Sequence, residues 1–304
     1  MSSARSPLIG PNEFLIGYQL QREWAWLIAA AFFFGTVGAG LYFVSFVIDF
    51  HLGAVVALLI VGVCKGAAHM LFLGKPLRFP LAMRKWRTSW ISRGVIAMFV
   101  FLACGVVYVA GFPEGSFVSD GVSEAFGWVA LAAALVIMVY DGFVLRSCRG
   151  IPLWNTNLMP MVGLSYAFLG GTTVTLVLQA LADEPTRNWL EWLQLGLLVL
   201  NIALVATVLL TARSRDAASQ LSASLLTRGP MAPLFVVVAI GVGIVCTLAL
   251  VAVSLTTDST AALVAAGVTD LVGEFFLFFS LLRVGAHPSL RTMPVAPFRA
   301  ASLT

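Results

Sequence analysis

The chain is short of almost everything a soluble enzyme uses. Only 11% of its residues are charged, against about 25% in soluble domains. Its four cysteines (Cys64, Cys104, Cys148, Cys246) are isolated. None forms a CxxC pair, which excludes the usual spacing of an iron–sulfur cluster or a structural zinc, so no metal is expected in this chain. Histidine occurs only at His51, His69 and His287. A bis-histidine haem needs two histidines at matched depth on facing helices; these three fall at different span ends, so haem is excluded. No phosphate-binding glycine loop and no catalytic triad is visible. The first 23 residues lack the charged-then-apolar order of a signal peptide.

What the chain has is length of apolar sequence: 60% hydrophobic residues and a mean hydropathy of +0.97. A helix needs roughly 20 apolar residues to cross a ~30 Å hydrocarbon core. Eight runs qualify, at 24–49, 53–73, 91–111, 124–146, 158–181, 189–212, 231–255 and 259–284. They are apolar on nearly every side and lack strand-like alternation, so helices are expected rather than a barrel. The expected fold is all-α and integral to the membrane. It divides into a segment 1–23, a membrane domain 24–284 and a tail 285–304.

Loop charge alternates from side to side. Sixteen of the 18 Lys and Arg residues fall on the side of the two termini and the even-numbered loops, while Arg187 is the one loop cation opposite, among Glu114, Asp120, Glu124, Asp183, Glu184, Glu191 and Asp258. The positive-inside rule makes the basic side and both termini cytoplasmic. A docking surface for an acidic partner would give the same bias. The net charge of +4 and the pI near 9.1 follow from these loops and imply no nucleic acid. The tryptophans sit mostly near span ends, as interfacial anchors do.

Span one contains FFFGTVGAGLYF and span five YAFLGGTTVTLV. Small residues at such spacing let helices approach closely in lipid. The echo, four spans apart, hints at a duplicated unit and two four-helix bundles. Three charges lie inside spans: Lys65 in the second, Asp270 and Glu274 four residues apart on one face of the eighth. A lone charge there costs ~2.5–3.5 kcal/mol on insertion scales. A Lys65–Asp270/Glu274 cluster is therefore expected, as a proton relay or as an ion pair that fixes packing.

The most informative stretch is Leu73–Gly94, LGKPLRFPLAMRKWRTSWISRG, which holds Lys75, Arg78, Arg84, Lys85, Arg87 and Arg93 beside Trp86 and Trp90. LGKPLRF followed by TSWISRG resembles the paired signature of the NrfD/polysulfide reductase membrane-subunit family. So does the order of the other elements: a glycine-rich first span, Tyr140-Asp141-Gly142-Phe143 closing the fourth, and Pro152-Leu153-Trp154-Asn155 opening the fifth. The resemblance covers roughly residues 20–180 and thins over the last three spans.

The resemblance implies a haem-free, quinone-reactive membrane anchor of a multi-subunit oxidoreductase in the bacterial inner membrane. It implies a ferredoxin-like iron–sulfur partner and a molybdopterin catalytic subunit that carries the substrate chemistry. Lys75, Arg78, Arg84, Lys85, Arg87 and Trp90 would then dock the partner, and the arginines would also meet lipid phosphates. The cofactor would be ubiquinone or menaquinone, with Tyr140 at the family's headgroup position and Arg93 at its motif arginine, able to steady negative charge. The family's Asn and His in span one are missing from Trp24–Phe34, WAWLIAAAFFF. His69, Asp141 or polar groups near Gln21 and Glu23, all of which lie toward the basic side, would substitute. Tyr140 also reads as an interfacial tyrosine, His69 as a packing histidine and Asp141 as a helix cap or the partner of a loop arginine. The rival function is a secondary transporter or ion-translocating protein built on Lys65, Asp270 and Glu274; a structural anchor that binds no quinone is the third.

Overall fold

The computed structural model describes residues 17–113, 115–182 and 188–288. Eight helices are long and apolar enough to cross a membrane: α1 Trp26–Ile48, α2 His51–Phe72, α3 Trp90–Ala110, α4 Asp120–Ser147, α5 Leu158–Leu181, α6 Trp189–Ser214, α7 Pro233–Thr257 and α8 Thr260–Arg283. Each falls within a few residues of its expected run, because length and hydropathy alone define a span in a ~30 Å core. Charges expected from Arg5, Glu114, Asp183, Glu184, Arg187, Arg291 and Arg299, and most of the 1–23 and 285–304 segments, lie outside the described residues.

The helices form two rings of four. In the first, α1, α2, α3 and α4 pack in sequence and α4 returns to α1; in the second, α5 to α8 do the same. The rings meet along α1–α5, α4–α5 and α1–α8. This is the duplicated arrangement that the glycine echo suggested. At the seam, Gly40 of α1 lies against the backbone of Ala167 and Gly171 of α5, where any Cβ would overlap. The second ring has its own backbone crossing, Gly243 of α7 on Gly273 of α8.

The tight turns of the acidic face are built alike. Asp49 (φ 59°), after α1, and Asp258 (φ 48°), before α8, both adopt the left-handed conformation, which aspartate tolerates better than most residues. On the basic face Gln19–Leu20 (β1) pairs antiparallel with Ala286–His287 (β2). That pairing brings both ends of the described chain to one side, as an even number of crossings requires. A short helix, Ala217–Thr227, and a 3₁₀ turn, Pro76–Met83, complete the basic face. Hydropathy gives no signal for either. Two helices are locally over-wide: α2 is π-wound over Ile60–Lys65 and α7 over Pro233–Cys246. Such widening is frequent where a side chain is re-aimed for function.

Candidate functional site

A cavity of about 170 Å³ opens near the basic face of the first ring. Its walls are Trp24, Ile28 and Phe32 from the α1 side, His69, Phe72 and Leu73 at the end of α2, Phe79 and Ala82 of the loop, Ile91 and Val95 of α3, and Tyr140 and Val144 of α4. The lining is apolar except for the imidazole of His69, the phenol of Tyr140 and the indole of Trp24. Two of the four residues expected to touch a headgroup therefore share one cavity.

The sequence motifs explain why that cavity has walls. Ser89 caps α3, accepting from the Ser92 amide at 3.4 Å, and Ser92 Oγ donates to the Ala82 carbonyl at 2.5 Å. Arg93 donates to the carbonyls of Trp86 (3.0 Å) and Arg87 (2.7 Å), and its guanidinium lies 4.6 Å from the Trp90 ring centre. TSWISRG thus clamps the basic loop onto the start of α3 and holds Phe79 and Ala82 over the cavity. Gly94, which ends the motif, is where the Tyr140 ring rests; a Cβ there would overlap the ring. The Pro152–Asn155 segment builds the opposite wall. Trp154 stacks on Trp24 (5.5 Å between centroids, 13° between planes) and donates its indole N–H to the Leu281 carbonyl at 2.9 Å.

Beneath the cavity lies a buried ion pair. Lys65, 2% exposed, donates to Asp141 at 3.4 Å and to the Ala31 carbonyl at 2.9 Å, with its ammonium 4.9 Å from the Tyr140 ring centre. The amine occupies the space that a side chain on Gly35 would fill. Sequence, helix winding and chemistry agree here. The π turn of α2 ends at Lys65, the glycine of α1 makes room, and the carboxylate of α4 supplies the counter-charge that hydrocarbon demands.

Three expectations are corrected. The Lys65–Asp270/Glu274 cluster does not form. Lys65 pairs with Asp141, because α1 stands between α2 and α8 and its Gly35 face admits the lysine toward α4. Asp141 does not line the cavity, since the residue after Tyr140 is turned about 100° around the helix, toward Lys65. Arg93 does not line the cavity either; its Nε and Nη2 donate to the loop, and it faces a separate open recess between α3 and α4 with Trp86 and Trp90.

Among the expected docking residues, Lys75, Arg78, Arg84, Lys85 and Arg87 are exposed, and none is ion-paired among the described residues. Leu77 projects from the same turn at 97% exposure. Trp90 is half-buried and stacked on Phe143 (4.1 Å, 7°), so it belongs to the scaffold of this surface. Asp270 and Glu274 are both 1% exposed in the second ring. Asp270 accepts from Thr173 Oγ1 at 2.5 Å, and Thr173 accepts from Gln194 Nε2 at 2.8 Å.

Sequence reading missed Trp24, Thr173 and Gln194. Trp24 was legible only as an anchor, since its role depends on the distant Trp154. Gln194 stands on one helix face with Glu191, a spacing that marks a polar stripe inside an apolar span.

The architecture is that of a multi-pass membrane protein with a small amphiphile-sized cavity near one surface and no metal-ligand group among the described residues. The chain belongs to the NrfD family: the family model described as polysulphide reductase, NrfD, matches residues 16–287. That family comprises membrane subunits of redox complexes. One subunit of the sulfite dehydrogenase of Allochromatium vinosum is 27% identical over 133 residues, which are 41% of this chain and 40% of that protein.

Proposed function

We propose that this chain is the quinone-reactive anchor of a membrane-bound oxidoreductase, passing electrons between a peripheral iron–sulfur subunit and the quinone pool. The observation that carries the reading is the cavity: aromatic and aliphatic walls, with His69 and Tyr140 as polar groups, at the membrane surface beside a cationic loop. A quinone headgroup fits that chemistry, since it needs flat apolar contact and donors to its carbonyl oxygens. When bound, it supplies two-electron chemistry linked to two protons.

The residues of the chain then have distinct tasks. Trp24, fixed by Trp154, offers a flat wall. Tyr140 and His69 donate to the quinone carbonyl oxygens, or accept from the hydroxyls of the reduced quinol, and hold the exchanging protons. Lys65 and Asp141 fix the Tyr140 ring from beneath. The exposed cations and Leu77 of the loop receive the iron–sulfur partner, with a molybdopterin subunit beyond it. By the charge rule that face is cytoplasmic and the membrane is the bacterial inner membrane. The likeness to the sulfite dehydrogenase subunit supports a dehydrogenase complex of that kind as the assembly.

The test is purification of the complex in mild detergent, with identification of partners and extraction of quinone. Copurifying iron–sulfur and molybdopterin subunits with bound quinone are expected. In that complex Tyr140→Phe or His69→Ala should lower quinone-dependent turnover about 100-fold, the scale of a lost proton donor. Wild-type turnover in both variants would remove the cavity from the reaction.

A further inference from the structure

The second ring holds a column of buried polar side chains that the cavity does not use. Read from the acidic face inward, it begins at Glu191 of α6, which is 6% exposed and hydrogen-bonded to Ser254 of α7. One turn deeper, Gln194 donates to Thr173 of α5, which donates to Asp270 of α8. One turn beyond Asp270 on the same face of α8 is Glu274. At 1.5 Å per residue from the acidic ends of their helices, these side chains stand at depths of ~3, ~8, ~12, ~15 and ~21 Å. The order is monotonic although the residues come from different helices. Membrane helices packing by apolar contact alone have no need of such a series.

Two further observations separate this column from a packing device. Among the described residues neither carboxylate oxygen of Glu274 has a hydrogen-bond partner, and the Gln194 side-chain oxygen has none, although both residues are 1% exposed. No basic side chain lies within α5–α8 before the last turns of α6 and α8, at Arg213 and Arg283. The first ring neutralises its buried carboxylate with Lys65; in the second, Asp270 has the Thr173 hydroxyl and neither it nor Glu274 is ion-paired among the described residues. In hydrocarbon, unpaired carboxylates are tolerated when they bind a cation, and the smallest one that needs no coordination cage is the proton. Gly170 keeps the space beside Glu274 clear, since a Cβ there would crowd its carboxylate.

We propose that α5–α8 form a proton path from the acidic face to Glu274, with Asp270 and Glu274 as the groups that bind the proton. Glu274 ends the path ~13 Å from the basic end of α8, a depth similar to that of Lys65, with α1 between them. Quinone reduction takes up two protons with two electrons, and quinol oxidation releases them. A path reaching this depth from the opposite face would let turnover move protons across most of the membrane. That coupling rests on the quinone reading above; the path itself does not.

The experiment is infrared spectroscopy of the purified full chain, or of its complex, in lipid nanodiscs on transfer into D₂O. A carbonyl band from protonated buried carboxyls is expected, lost in part in Glu274→Gln and in part in Asp270→Asn. Its deuterium exchange should slow about tenfold in Gln194→Leu, the effect of one lost hydrogen bond in the path. Thr173→Val gives the same readout where Gln194→Leu does not assemble. A missing band, a band unchanged in both acid variants, or exchange indifferent to Gln194 and Thr173 would overturn the proposal. So would a band that shifts with sodium at constant pH, which would make the column a sodium site. Quinone-dependent turnover in the same preparations reports separately on the first ring: its absence would sink the quinone reading and leave the infrared result standing.

Discussion

The two rings share a helix arrangement and a glycine-lined seam, yet they treat buried charge in opposite ways. In α1–α4 a carboxylate meets a lysine, and the pair lies against the tyrosine of an apolar cavity. In α5–α8 Asp270 meets only the Thr173 hydroxyl, and neither oxygen of Glu274 has a hydrogen-bond partner among the described residues. A duplicated scaffold therefore does not carry a duplicated site. The first ring gains a fixed geometry, because an ion pair in low dielectric tolerates little displacement once formed. The second keeps groups whose charge is free to change without a partner being stranded.

That difference is open to direct attack. The largest effect is expected from Lys65→Met, which leaves Asp141 buried and uncompensated. Removing one member of a buried pair costs about 3–5 kcal/mol, so thermal unfolding in detergent should shift sharply or the chain should fail to assemble. The double variant Lys65→Met/Asp141→Leu should recover most of the loss. An unchanged melting profile in the single variant would mean the pair is not what holds this ring. Next comes Gly94→Ala. Overpacking of this kind costs about 1–3 kcal/mol, here by displacing the Tyr140 ring, so turnover with quinone should fall while the second ring keeps its infrared signature. The smallest effect belongs to Asp270→Asn. Its partner Thr173 donates equally well to an amide oxygen, so stability should change by no more than about 1 kcal/mol, measured in the same thermal assay. A loss as large as that of Lys65→Met would show the two rings to be alike after all.

Much of the fold was legible in the sequence. The eight spans follow from hydropathy and length, and the two-ring arrangement from the paired glycine segments of α1 and α5. The site was legible in part. Tyr140 and His69 share a cavity because both lie toward the basic end of their helices, and depth along a span can be counted from the sequence. Angular position cannot be counted with the same ease. Asp141 is one residue from Tyr140 and faces elsewhere, and the π turn in α2 shifts Lys65 from the face that a regular 3.6-residue winding would give it. Helix neighbours were also invisible: nothing in the spans says that α1 separates α2 from α8. Arg93 illustrates a different limit. Its charge suggested a partner or a headgroup, whereas backbone carbonyls of its own loop accept from its Nε and Nη2 and fix its direction.

The pairing of Gln19–Leu20 with Ala286–His287 has a consequence for biosynthesis. Trp24, one wall of the cavity, is synthesised roughly 250 residues before Leu281, which anchors its partner Trp154. At about 5–20 residues per second, the first four helices, which end at Ser147, wait in the bilayer for roughly 7–27 seconds with the cavity wall unsecured. The wall that Trp24 gives the cavity is therefore secured only when the eighth helix is in place, although every other wall is built from the first four.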